Sequence, residues 1–155
     1  EEHYTRSLLS PVNNSNRLTV AQSKALTFDV PHRQKPFWPL ELSYSAQVSG
    51  RFKASTTWQR FKSGDFLDKH CDLLFSANTN VPAPFQVYWQ VVNTGKEAEN
   101  VGQLRGEIVL SKTAGVGGLT QKECTYYTGF HWIECFIVKN GRCVARSDEF
   151  VVRIF

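Results

Sequence analysis

Between residues 85 and 92 the chain reads Phe-Gln-Val-Tyr-Trp-Gln-Val-Val. Phe85, Val87, Trp89 and Val91 then lie on one side of an extended backbone, and Gln86, Tyr88 and Gln90 on the other. That two-residue period predicts a central core strand. The same period runs through Leu42, Tyr44, Ala46 and Val48, alternating with Ser43, Ser45 and Gln47, and predicts a half-buried strand there. Shorter apolar runs follow at 57–62, 71–76, 104–110, 122–128 and 131–139. A last strand spans 142–155, interrupted at Ser147-Asp148. A long 3.6-residue stripe is absent; at most a helical turn is expected near 64–70 or 96–102. Turn residues punctuate the runs at Ser63-Gly64-Asp65, Asn78 to Pro84, Asn93-Thr94-Gly95, the Gly-rich loop at 114–118, and Asn140-Gly141. The last pair suits the left-handed angles of a two-residue hairpin. Many short strands between turns predict an all-β fold, an immunoglobulin-like β-sandwich of about seven to nine strands.

Ahead of the strands, residues 1–27 are polar and aperiodic and read as a linker or N-terminal arm. The sandwich domain is taken as 28–155. Pro31, Pro36 and Pro39 exclude a helix or central strand from the segment Phe28–Pro39. It is expected to be extended, carrying its aromatics over the first sheet edge.

The strand at 131–139 has an informative parity. His131, Ile133, Cys135 and Ile137 share one face, and Trp132, Glu134, Phe136 and Val138 the other. Both faces are largely apolar, whereas a sandwich strand normally requires only one. The second must be covered by the N-terminal arm, another domain or a ligand. Glu134 on that face requires a partner, since a carboxylate buried alone is costly. Arg105 or Arg146 could supply a structural ion pair; alternatively Glu134 receives a ligand stacked on Trp132. Tyr127 fits either such a cleft or the fixing of a β-arch, as a tyrosine corner does.

Composition narrows the picture further. With 41% hydrophobic and 21% charged residues, the 155-residue chain is an ordinary globular length and mixture. The net charge of +4 is compatible with an anionic ligand. Neither a transmembrane run nor a signal peptide is present in this sequence. The chain lacks methionine and starts on Glu1, which reads as a piece of a longer protein. Cys71, Cys124, Cys135 and Cys143 show no metal-site spacing. Across an Asn140-Gly141 turn, Val138 should face Cys143 and Cys135 should face Arg146. Cys135 and Cys143 would then point to opposite faces and could not be bridged. Unbridged thiols favour the cytoplasm. His131 and Glu134 project to opposite sides, so they form no acid–base pair, and no nucleophile or paired-carboxylate motif occurs. Catalytic residues, metal ligands and cofactors are therefore not expected.

The ordered set "VYWQVVNTGKEA", "LRGEI" and "ECTYYTGFHWIECFIVKNGRCVARSDEFVVRI" resembles the adenylyl/guanylyl and SMODS C-terminal sensor domain. The likeness spans residues 28 to 155, with "FDVPHRQKPFW" as its lead-in. It implies a β-rich module behind nucleotide-generating enzymes of bacterial antiviral systems, sensing a nucleotide-like or nucleic-acid ligand. By resemblance Asn93, Arg105, Tyr127, His131, Trp132, Glu134 and Arg146 fall on motif positions and are the candidate ligand-binding residues. It also implies an upstream nucleotidyltransferase or cyclase domain as partner. The alternative is an immunoglobulin-like interaction module whose second apolar face docks a neighbouring domain or a phage protein.

Overall fold

Two antiparallel-rich sheets pack face to face in the computed structural model, which describes residues 30–113 and 115–155. The expected arm at 1–27 lies outside the described residues. The strands are β1 (Ala46–Ala54), β2 (Thr57–Phe61), β3 (Phe66–Leu67), β4 (Asp72–Thr79), β5 (Gln86–Asn93), β6 (Ile108–Leu110), β7 (Thr120–Cys124), β8 (Gly129–Lys139), β9 (Arg142–Arg146) and β10 (Phe150–Ile154). One sheet has the order β2-β1-β4-β7; the other runs β3-β10-β8-β5-β6, with β9 also paired to β8. The all-β sandwich is thus present, with ten short strands among the described residues.

Its core is built by the alternating residues that the period picks out. Leu73 and Phe75 from one sheet meet Val87, Trp89, Ile133, Cys135, Ile137 and Val152 from the other. Trp89 is buried and its indole nitrogen donates to the Gly118 carbonyl at 2.8 Å, so its polar end costs little. Asn140 and Gly141 take φ of 52° and 74°, the left-handed turn their identities suit.

Several boundaries differ from the sequence reading. β1 starts at Ala46; Leu42 and Tyr44 are exposed, because residues 39–44 run beside β9 instead. There Glu41 N–H donates to the Cys143 carbonyl at 2.9 Å and Tyr44 N–H to the Val144 carbonyl at 3.0 Å. Of 104–110 only Ile108–Leu110 forms a strand. The Gly-rich loop winds into a 3-10 helix, Gly115–Leu119. A helical turn does occur as α1 (Lys96–Asn100), whereas Phe66–Leu67 pairs parallel to β10.

The second apolar face of β8 is covered by this chain's own segment 30–38, which crosses the outer face of the sheet and not merely its edge. Val30 packs with Val92, Phe130, Trp132 and Val151. Trp38 lies edge-on to Tyr88 at 4.5 Å and 5.9 Å from the Phe136 ring. This strap is stitched down by polar contacts: Gln34 N–H donates to the Gly106 carbonyl at 2.9 Å, and the Gln34 side-chain oxygen accepts from Ile108 N–H at 2.8 Å. His32 Nε2 lies 2.7 Å from the Asn93 carbonyl. The approach is so close that a Cβ on Gly106 would sit 1.9 Å from the His32 carbonyl oxygen.

Candidate ligand-binding site

The seven candidate residues divide between the two faces of β8. On the strap side, Glu134 is 1% exposed and bonded through both oxygens. Arg33 of the strap holds one oxygen, and Arg146 Nε donates to the other at 3.0 Å. Arg33 also reaches Glu149 at 3.2 Å and lies over the Trp132 ring, 5.9 Å from its centroid. Burial pushes the Glu134 carboxyl above its usual range, and the charges of Arg146 and Arg33 pull it back. The ion-pair reading with Arg146 is realised; Arg105 takes no part in it.

Arg146 reaches Glu134 through an irregularity in the β8–β9 ladder. Val138 pairs with Cys143 as the turn dictates, but Ile137 pairs with Ala145 and Phe136 with Arg146. Val144 is the extra residue, a β-bulge that moves Arg146 off the expected position opposite Cys135. The consequence drawn for the thiols holds: Cys135 points into the main core, and Cys143 packs with Ile108 and Phe136 on the strap side. All four cysteines are free.

The other four candidates converge elsewhere. Between the sheets, at the end where β5 and β7 finish and β8 begins, lies a cavity of about 310 Å3. Leu73, Phe75, Val91, Ile133, Val152 and Ile154 form its apolar walls, and Asn93, Gln103, Arg105, Glu123, Tyr127 and His131 contribute polar groups. Trp132 borders it too, although its side chain packs in the strap-side cluster with its indole nitrogen buried and without a hydrogen-bond partner among the described residues.

Asn93 is a brace. Its amide donates to the Gln103 carbonyl at 2.7 Å, and its side-chain oxygen accepts from Arg105 N–H at 2.5 Å, fixing the loop between α1 and β6. That loop projects Arg105 over the cavity mouth, where its guanidinium grips Glu123 at 2.8 and 3.2 Å. The Arg105 side chain is half exposed, so this pair is screened and weak. His131 Nε2 meets the Tyr127 carbonyl at 3.0 Å. Burial lowers its pKa to about 4, so the imidazole is neutral at pH 7. The Tyr127 hydroxyl forms no hydrogen bond among the described residues. The nearby Cys124 thiol raises the pKa of its neighbour Tyr126.

Nearby, the turns at 93–95 and 128–130 are locked together. The Thr94 hydroxyl donates to the Phe130 carbonyl at 2.5 Å. Glu97 of α1 accepts from Thr128 N–H at 3.0 Å and from its hydroxyl at 2.7 Å, and pairs with Lys69. These bonds hold the Glu97 pKa down at about 2. Gly129, at φ +133°, is required because a Cβ would lie 2.4 Å from the Thr94 carbonyl oxygen.

Gln103, Glu123 and Cys124 escape the sequence reading. The run Thr120-Gln-Lys-Glu-Cys is polar on both faces, so alternation cannot reveal that Glu123, paired with Leu73, points inward.

Fold and site together define a two-sheet sandwich domain with an internal cavity at one end and a strap sealing its outer face. The model of the Adenylyl/Guanylyl and SMODS C-terminal sensor domain family matches residues 28–155, and the chain belongs to that family. It is a sensor domain, not a catalytic one. A comparison with curated proteins finds no match.

Proposed function

We propose that the domain binds a nucleotide-like ligand in the cavity between the sheets and thereby regulates a nucleotidyltransferase or cyclase attached to it, in the cytoplasm, as part of bacterial antiphage defence. The supporting observation is Arg105, poised on the rim of an apolar cavity and held by a replaceable carboxylate. A volume of about 310 Å3 lies at the small end of ligand pockets, suited to one heteroaromatic group and not to a nucleic-acid chain. The ring enters between Val91, Ile133 and Val152 beside the neutral His131. The ligand's phosphate displaces Glu123 from Arg105 with a bidentate charge-assisted bond.

Occupancy has a physical route outward. The loop carrying Arg105 also carries Gly106, whose carbonyl binds the strap at Gln34. Movement at the cavity mouth therefore shifts the strap, which leads toward the preceding part of the chain. The docking-module alternative draws less support, since the face it requires is occupied by residues 30–38.

Calorimetric titration of the chain with mononucleotides and cyclic mono- and dinucleotides tests the reading. Binding is expected for at least one, weakened about ten-fold or more by Arg105→Ala, the size of one charge-assisted hydrogen bond. A Val91→Trp variant, filling the cavity, should abolish it. No heat with any nucleotide, or unchanged affinity in Arg105→Ala, would overturn it.

A further inference from the structure

The outward face of the β2-β1-β4-β7 sheet carries a charge pattern that folding does not require. Strand register sets Arg60 opposite Arg51, Arg51 opposite Leu74, and Leu74 opposite Lys122. These side chains form one row across all four strands, about 14 Å from end to end at normal strand spacing. In the next row Lys53 stands opposite Trp58, its ammonium 5.9 Å from the indole centroid. Arg51, Lys53, Trp58, Arg60 and Lys122 are all exposed. Among the described residues none of these four cations forms an ion pair. Asp72, opposite Cys124, is the acidic residue these strands place on that face.

The sequence sharpens the imbalance. From Ala46 to Gly64 the hairpin holds Arg51, Lys53, Arg60 and Lys62 and no acid, a charge equal to the net +4 of the whole chain. Two arginines directly opposite each other on neighbouring strands repel and weaken the pair. Cations on an edge strand such as β2 also deter sheet-to-sheet aggregation. That accounts for Arg60 on β2 and Lys122 on β7, the two edges of this sheet, but not for Arg51 and Lys53 on the inner strand β1, nor for an exposed tryptophan among them.

We infer that this face is a second binding surface, taking single-stranded nucleic acid, with Trp58 as a base-stacking platform and Arg51, Arg60, Lys53 and Lys122 meeting phosphates. A polyanion relieves the Arg51–Arg60 repulsion, and an exposed indole among cations is the arrangement that serves unpaired bases. A duplex presents no free base face to Trp58, and an acidic protein has no need of one. The inference is independent of the cavity, which lies on the other side of this sheet.

The test is fluorescence anisotropy of a labelled twelve-nucleotide oligo-uridine or oligo-thymidine, titrated with the chain at 50, 100 and 200 mM salt. Binding should weaken as salt rises. Arg51→Gln/Arg60→Gln should lower affinity at least ten-fold and reduce the log–log salt slope by roughly two. Trp58→Ala should lower affinity about five-fold or more with the salt slope unchanged, because stacking releases no counterion. Arg105→Ala should bind like the parent chain, which separates this surface from the cavity. All four positions are surface ones, and unchanged thermal melts confirm that the variants fold. Absence of binding at 50 mM salt would overturn the proposal. So would tighter binding of the blunt duplex than of the single strand, or binding to vesicles of mixed neutral and anionic phospholipid without binding to the oligonucleotide.

Discussion

Glu134 and Arg146 meet because the ladder between β8 and β9 carries one extra residue, Val144. Without that bulge Arg146 would turn toward Cys135 and the main core. With it, two arginines from opposite ends of the sequence close on one buried carboxylate.

Removing only the acid leaves both arginines crowded and without their shared counter-charge. Glu134→Leu should destabilise the domain by about 3–5 kcal/mol in urea unfolding, the usual cost of breaking a buried pair. The triple variant Arg33→Met/Glu134→Leu/Arg146→Met should recover most of that loss, because apolar side chains of similar length restore packing without desolvated charge. A triple variant as unstable as the single one would show that the cluster holds the strap by charge alone.

The strap depends on one missing methyl group. Gly106→Ala would place a Cβ against the His32 carbonyl, and backbone on both sides leaves little room to yield. The strap should lift, exposing Trp132. Tryptic cleavage after Arg33 should accelerate by at least an order of magnitude, and tryptophan emission should move to the red.

Acid should weaken the fold in two steps. His131 is buried neutral, with its pKa lowered from 6.5 to about 4. The unfolded chain therefore binds the extra proton between those values, and stability falls as pH drops from about 6.5 to about 4. The full loss is on the order of 3 kcal/mol. Glu97 acts lower: its depressed pKa adds stability above 4.5 that disappears as pH falls toward 2. Urea midpoints measured against pH should show the upper step vanish in His131→Gln and the lower one in Glu97→Gln.

The thiols should separate by exposure. Cys135 is enclosed and burial pushes its pKa up to about 12; burial raises Cys143 as well. Cys71 and Cys124 are half-buried near the surface. A disulfide-exchange reagent at pH 8 should titrate two thiols in the native protein and four in denaturant.

Period two was enough to identify the core side of β5 and β8, because Trp89, Ile133 and Ile137 face a single continuous interior. It also showed that Trp132 and Glu134 needed a cover. Prolines revealed that the segment before β1 is extended, but not which surface it crosses, since that is decided by contacts such as Arg33–Glu134, 101 residues apart in sequence. The bulge at Val144 left no mark, because valine suits a regular strand equally well. Asn93, Arg105, Tyr127 and His131 were recognisable one by one, yet their convergence around a cavity depends on the long-range pairing of β5 with β8 and on the packing of that sheet against the one holding β7. For Trp132 and Glu134 the alternation left an arm, another domain or a ligand open as the cover, and the strap occupies their side of the sheet.

The strap also gives the domain a mechanical direction. A pull from the residues before Val30 loads its bonds in sequence, first those at Val30 and His32, then the Arg33 pair, then Gln34, so it peels like a zipper. The paired strands behind it, loaded along their length, resist in parallel. A modest tug or twist on the leading chain can therefore undo the strap while both sheets stay whole, and a bound ligand that stiffens the Arg105 loop would raise the force at which the peeling begins.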